Sequence, residues 1–527
     1  MSKVSRRTFL KHSLAFAGAT FAIGVGPRKV LGANDRLRVG VAGIHGQGGT
    51  HLGQYRGMKD VQVAYLIDID RRTFPGRLGE FEAAAIRDLL KEKGIQEIVV
   101  PKNAPPEEKK KLEAERRQQL AEFKKLVDPA RLPTCVQDVR KALEDKDLNV
   151  LSIATPNHWH ALMTVWACQA GKDVYVEKPC SHNVFEGRKA VEAARKYQRI
   201  VQHGTQSRSS AMWAKVAEIA RTGKLGKLLV SHGYASKPRG AFKLVEKLAP
   251  ATDVDYGLWL GPAQETDFKD FKGLVHYNWH WVWAFGNGEI GNQGVHEMDK
   301  ARWGIPGATL PKSVLSLGGR FGYTDRGQTP NTQIAVYDFG EGQPLLVFES
   351  CGLVDGRTAR VSNDFYFEVG VIRGGNKFFP KDGGGKDAPI PQVEVKLGPG
   401  TPAGNHFANF IAAVRSRRKE DLNADILEGH YSSALCHLGN ISWRLGREVT
   451  FAETARAFGD KEYANEAWAK LQKHLVDNAK LKLDGLKVRL GKPLQFDPAK
   501  ERFVGDPEAD KLLTRDYRKP FIVPDEV

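Results

Sequence analysis

The residues best suited to chemistry fall in two distant stretches. In "VEKPCSHN" (Val176–Asn183), Lys178 follows Glu177 and precedes Pro179 at the end of an apolar run. A lysine at a buried strand end lowers its pKa by desolvation and can then take or give a proton near neutral pH. In "GEIGNQGVHEMDKARW" (Gly288–Trp303), Asn292, His296 and Asp299 lie one turn apart on one face of an expected helix. His296 can exchange a proton or orient a substrate. Asn292 either accepts a hydrogen bond from the imidazole or caps the helix, with Met298 and Trp303 buried beneath. Just upstream, "YNWHWVWAF" sets Trp279, Trp281 and Trp283 two apart, which on a strand gives them one face. Such a face either packs a core or stacks on the apolar faces of a sugar, with Tyr277 and His280 as hydrogen-bonding partners and Asp299 beside them.

These groups need a scaffold that brings them together. From Leu37 to Gly204, short apolar runs such as "LRVGVAG", "VQVAYLID", "NVLSIATP" and "KDVYVEKP" alternate with helical patterns, which predicts a parallel sheet with crossover helices. The first run enters "GIHGQGGTHL", and the second ends at Asp68. Gly43 and Gly48 fit the outer positions of a dinucleotide fingerprint, His45 replaces the middle glycine, and Gly46 and Gln47 follow it. Glycines let the backbone approach a pyrophosphate, the helix N-terminus stabilises its charge, and Asp68 accepts the ribose hydroxyls. Thr155, Pro156, Asn157 and His160 of "ATPNHWHA", together with Glu177, Lys178 and Gln206, close later strands at the same edge and complete the expected cofactor site. Asp68 favours NAD, while Arg71 and Arg72 stand near enough to meet the 2′-phosphate of NADP. His158, His160, His203 and His296 lack an HExxH-like spacing, so no metal is expected.

The strand-rich segments after "AMWAKVAEIARTG" predict a second, mostly antiparallel sheet with a helical return near Asn405–Arg447. The expected organisation is a signal over residues 1–33, a Rossmann domain over 34–208 with a charged helical insertion at about 71–131, an α/β substrate and oligomerisation domain over 209–450, and a surface-wrapped extension over 451–527. The signal reading rests on "SRRTFLKHSLAFAGATFAIGVG", which resembles a twin-arginine export signal; its apolar run is too short to span a bilayer, and a periplasmic or otherwise exported location follows. Six cations of the net +17 fall in that leader, which has no acidic residue, so +17 less six leaves +11 for the remainder. No basic helix or aromatic RNA-binding motif accompanies that charge, and nucleic acid is not an expected partner. Five scattered cysteines without a CxxC pair indicate neither a disulfide scaffold nor a zinc site.

The pattern GxxGxGG followed by Asp68, "ATPNxxH" and "EKPxxxN" resembles the Gfo/Idh/MocA oxidoreductase family, and "DYGLWLGPA", "HYNWHWVWAFGNGEIGNQGVHEMD" and "GNHFANF" extend the resemblance to about Arg447. The resemblance implies an NAD(P)-binding α/β Rossmann domain, an α+β domain with an open antiparallel sheet, a carbohydrate or cyclitol substrate, and a homodimer or homotetramer. It further implies that Lys178 sits beside the nicotinamide and the substrate hydroxyl, faced by His296. Members commonly carry an aspartate where this chain has Asn292, which moves the acid–base role towards Lys178. The function so implied is an exported NAD(P)-dependent sugar oxidoreductase; an NAD-dependent glycoside-cleaving enzyme and a non-catalytic carbohydrate-binding relative are the competing readings.

Overall fold

A computed structural model describes residues 36–242, 252–264, 274–401 and 405–527, so the export signal expected over residues 1–33 lies outside the described residues. Arg36–Val527 form one compact unit. Its first sheet contains β1 (Leu37–Ala42), β2 (Val61–Ile67), β3 (Thr134–Val136), β4 (Val150–Ile153), β5 (Asp173–Val176) and β6 (Val201–His203). All are parallel, in the order β3-β2-β1-β4-β5-β6. Helices cover both faces, which is why β1, β4 and β5 are buried almost throughout rather than on alternate residues. The order reverses between β1 and β4, and that reversal opens a crevice at the carboxyl ends of the strands.

The charged insertion folds as two helices, Phe74–Glu92 and Pro106–Lys124. Their contact is small, built on Ile86, Leu90, Phe123 and Val127. Phe123 is the single buried residue of the second helix, in keeping with its polar circumference.

The second sheet comprises β7 (Leu228–Ser236), β8 (Ser313–Gly319), β9 (Thr332–Asp338), β10 (Leu345–Cys351), β11 (Arg360–Phe367), β12 (Gly370–Arg373), β13 (Lys377–Pro380), β14 (Arg447–Thr450) and β15 (Lys487–Leu490). They run in the order β13-β12-β11-β7-β10-β9-β8-β15-β14, and two further strands lie off this path, Leu494–Asp497 on β8 and Arg502–Phe503 beside it. Only β7 and β10 pair in parallel; the other neighbours are antiparallel. One face packs on the helices Ala211–Thr222, Gly294–Trp303 and Ile426–Arg444 through Ile219, Met298, Phe348 and Leu438.

The extension beyond Thr450 is not the surface wrap expected of it. Its β15 lengthens the sheet, and its helix Glu462–Asp477 lays Trp468, Leu471 and Leu475 on Val230, Ile334, Val336 and Val347 of the opposite face. The apolar residues of "EYANEAWAKLQKHLVD" recur at helical spacing and need such a partner. Trp468, 1% exposed, anchors this layer. Trp468→Ala is expected to cost about 3–5 kcal/mol, the scale for truncating a buried tryptophan, and to appear as a lowered urea midpoint.

Candidate active site

The crevice contains a cavity of about 440 Å³ lined by both halves of the molecule, within the range of cofactor and ligand sites. Its first wall is the turn between β1 and the helix Gln47–Arg56. Gly43 has a φ of +82°, and a Cβ there would lie 2.5 Å from the Ala154 carbonyl oxygen, so only glycine fits. Gly46 and Gln47 line the cavity, and a side chain at Gly46 would meet no protein atom within 4 Å. Gly48 lies behind the lining, where a Cβ would come within 2.1 Å of the Gly43 oxygen. His45 tolerates the middle-glycine position because its ring turns aside and stacks on His276, centroids 3.9 Å apart. Asp68 closes this end; its oxygens accept from the backbone N–H of Ile44 (2.9 Å) and Asp70 (3.0 Å). Open backbone at the turn, a helix N-terminus behind it and a carboxylate at the strand end fit a dinucleotide.

The loops after β4 and β5 supply the centre. Thr155, Pro156, Asn157, His160, Glu177 and Lys178 all line the cavity, as does Gln206 from the turn after β6. His160 joins the two loops, with ring nitrogens 2.7 Å from the Thr155 carbonyl and 2.6 Å from that of Pro179. Asn157 donates to the Asn287 side chain at 3.0 Å, which ties the loop to the second half of the chain. Asn183 of the EKPxxxN pattern caps the helix Val184–Lys196 by accepting from Glu186 N–H. That cap fixes the loop carrying Lys178.

The second half contributes Tyr277, Trp279, His280, Asn292 and His296. Lys178 Nζ donates to the Asn292 carbonyl oxygen at 3.1 Å. Asn292 is not the N-cap: it ends the short helix Gly288–Asn292, and Gln293 precedes the helix Gly294–Trp303 without a side-chain cap bond. It acts on Lys178 through its main chain, and among the described residues its side chain holds no hydrogen bond to His296. Asp299 does not face the cavity as expected. It is buried in an ion pair with Arg208 at 2.9 Å and accepts from Ser432 at 2.7 Å, because its helix turns that face towards the Ile426–Arg444 helix.

The tryptophan strand expected upstream is a 3-10 turn over Asn278–Trp281, so the two-residue alternation is lost. Trp279 stays at the cavity with His280, while Trp281 packs beneath the Arg239 guanidinium and Trp283 against Trp443. Sequence reasoning passed over Arg239, which pairs with Glu289 at 2.8 Å and donates to the Tyr277 hydroxyl at 3.0 Å, holding that exposed ring at the cavity mouth. It also passed over His276, whose Nε2 lies 3.0 Å from Asp70. Arg239 stands in no quoted stretch, and although His276 opens "HYNWHWVWAF", nothing in that pattern pairs it with Asp70.

Burial and the neighbouring charge of Lys178 push His296 down to about 3, so its imidazole is neutral at ordinary pH and offers one donor and one acceptor. Burial lowers His280 in the same way. Burial raises the Asp68 carboxyl to about 6, against the lowering effect of its two backbone hydrogen bonds.

The NAD-binding Rossmann-fold model of the Gfo/Idh/MocA oxidoreductases matches residues 76–205, and the model of their C-terminal alpha/beta domain matches residues 384–476. Both matches support the Gfo/Idh/MocA family. The N-terminal domain is thus an NAD-binding Rossmann domain. Levoglucosan dehydrogenase of Pseudarthrobacter phenanthrenivorans is 29% identical over 96 residues, 18% of this chain and 25% of that protein. Inositol 2-dehydrogenase of Salmonella typhimurium is 32% identical over 97 residues, 18% of this chain and 29% of that protein. The chain spans a third or less of the length of the curated relatives it matches. The WlbA dehydrogenase of Chromobacterium violaceum, solved with NADH and UDP-GlcNAcA, superposes with a TM-score of 0.51 at 15% identity, covering 78% of this chain and 95% of that one. At that identity the likeness concerns the fold.

A carboxyl raised to about 6 gives the nucleotide site a pH signature. Protonation removes an acceptor for the ribose hydroxyls, so NAD affinity should weaken as the pH falls through about 6. Titration calorimetry across that range should show the loss in the wild type and a flat profile in Asp68→Asn.

Proposed function

We propose that the protein is an exported NAD-dependent oxidoreductase that oxidises or reduces a carbohydrate hydroxyl carbon, with Lys178 exchanging the hydroxyl proton and His296 orienting the substrate. The observation that carries this reading is the continuity of one cavity from the glycine turn and Asp68 to Lys178, His280 and His296. Bound NAD supplies the hydride acceptor or donor. In the oxidative direction Lys178 Nζ exchanges the hydroxyl proton while hydride leaves the same carbon. Its bond to the Asn292 carbonyl aims Nζ into the cavity. His296, neutral and half-buried in the facing wall, hydrogen-bonds the reacting or an adjacent hydroxyl. Trp279 offers an apolar face to a sugar ring, and the Tyr277 hydroxyl stands at the mouth. NAD is favoured over NADP because both nearby guanidiniums are engaged, Arg71 with Gln137 at 2.6 Å and Arg72 with Asp70 at 2.6 Å.

The second half of the chain also folds over the adenosine end. Arg71 N–H donates to the Asp253 carbonyl and Asp255 N–H to that of Ile69, an added bridge joins Asp70 to Val254, and His276 reaches both Asp70 and His45. A nucleotide beneath these contacts leaves only when they open, which suits an enzyme exported with its cofactor into a compartment poor in free NAD.

Lys178→Ala is expected to lower turnover at least about a hundredfold, the scale of a positioned acid–base group, with little change in nucleotide affinity. Near-normal turnover on a panel of sugars and cyclitols that the wild type oxidises would remove the assignment. The purified wild type should also carry stoichiometric NAD or NADH through gel filtration, read by absorbance and mass after denaturation. A protein that elutes empty and needs added cofactor at each turnover would defeat the captive-cofactor part of the reading.

A further inference from the structure

Glu177 is 4% exposed, yet its carboxylate lines the cavity beside Lys178. Four donors converge on it: Gln47 Nε2 (3.2 Å), His51 Nε2 (3.2 Å) and Gln206 Nε2 (3.0 Å) at Oε1, and the Lys178 backbone N–H (3.2 Å) at Oε2. Burial opposes its ionisation, but the hydrogen bond and electrostatic pull of His51, followed by the charge of Lys178, outweigh that and hold the carboxyl well below its usual range.

Behind His51 lies a relay with no access to solvent. Tyr55 donates its hydroxyl to Ser152 Oγ at 3.1 Å, and Ser152 Oγ lies 2.9 Å from His51 Nδ1. Burial keeps the Tyr55 hydroxyl protonated and therefore a donor. The Glu177 carboxylate can only accept, so a proton on His51 Nε2 faces it, while Nδ1 shares a hydrogen bond with Ser152 Oγ. The relay thereby fixes the ring that donates to Glu177.

We propose that the Tyr55–Ser152–His51 relay holds the Glu177 carboxylate in place next to the nicotinamide ring, and that this charge lowers the reduction potential of the bound NAD couple. The inference rests on the placement of the nicotinamide beside Lys178. The oxidised ring is cationic and the reduced ring neutral, so a fixed anion in a poorly screened cavity favours the oxidised form. The balance is the ordinary one: two electrons and one proton enter the ring as hydride, and Glu177 gains and loses nothing. Glu177 and His51 are positioning residues for the cofactor's charge rather than acids or bases towards substrate.

The test is a redox titration of the nucleotide-loaded protein against a reference dye, followed by the absorbance of reduced nicotinamide. Glu177→Gln preserves the shape and most of the hydrogen bonds. It should shift the bound preference towards the reduced form by about tenfold, a rise in potential of ~30 mV for a two-electron couple. Ser152→Ala, which removes the partner of His51 Nδ1 and loosens the imidazole's hold on Glu177, should move the potential in the same direction by less and remains informative if Glu177→Gln folds poorly. A role in fold alone would weaken both redox forms together and leave the potential in place. Unmoved potentials in loaded variants would overturn the inference while leaving the NAD reading intact. A wild type that loads neither form overturns both.

Discussion

The ion pair between Arg208 and Asp299 fixes the geometry on which the cavity depends. Neither side chain reaches solvent, at 5% and 0% exposure, and withdrawing two such charges costs several kcal/mol each unless every oxygen and N–H is satisfied. Here Arg208 Nε donates to both Asp299 oxygens at 2.9 and 3.1 Å and Ser432 donates to one of them, while Arg208 Nη2 meets Glu428 at 3.2 Å as an ion pair without a hydrogen bond. Arg208 follows Gln206 in the turn after β6, and Asp299 lies one turn beyond His296. The buried pair thus acts with the Asn157–Asn287 bond to hold the second half against the first sheet, with His296 facing the loop that carries Lys178. Removing one partner would strand the other charge, a penalty of about 3–5 kcal/mol.

With that spacing fixed, the site becomes a problem of charge. One anion and one cation, Glu177 and Lys178, stand on adjacent residues at the cavity wall. The histidines around them, His160, His280 and His296, are all held low by burial. Their rings add hydrogen bonds without adding charge. The field felt in the cavity is therefore set by Glu177, Lys178 and Asp68, and three neutral imidazoles shape it sterically.

Much of this was legible in the chain because it depends on local pattern. The parallel sheet followed from apolar runs spaced by helical segments, and Gly43, Asp68, Glu177 and Lys178 mark strand ends, which the fold carries to one edge whatever the details. The misplaced residues depended on a local geometry that the pattern did not fix. Trp281 was assigned to the cavity on a two-residue period that a 3-10 turn destroys. Asp299 shares a helix with His296, but three residues of rotation suffice to aim it into the core. Asn292 looked like a cap, yet the chain is already helical when it arrives there. His51, His276 and Arg239 act through partners far away in sequence, and no spacing announces such contacts.

The charged insertion shows how a polar element can bear on the site through one side chain. Its helices bury little against each other, so their own packing could not hold them in a defined place. Arg77 gives them one: its Nε donates to the Ile44 carbonyl at 3.0 Å and its Nη2 to that of His45 at 3.1 Å, with Glu80 completing the guanidinium's partners at 2.9 Å. Those carbonyls belong to the glycine turn. Arg77 thereby fixes the Ile44 and His45 carbonyls from the insertion while Ile44 N–H is held by Asp68, so both backbone polar groups of Ile44 are anchored beside the crevice. The insertion thus meets the glycine turn through Arg77, and its exposed charge keeps the rest of it in solvent.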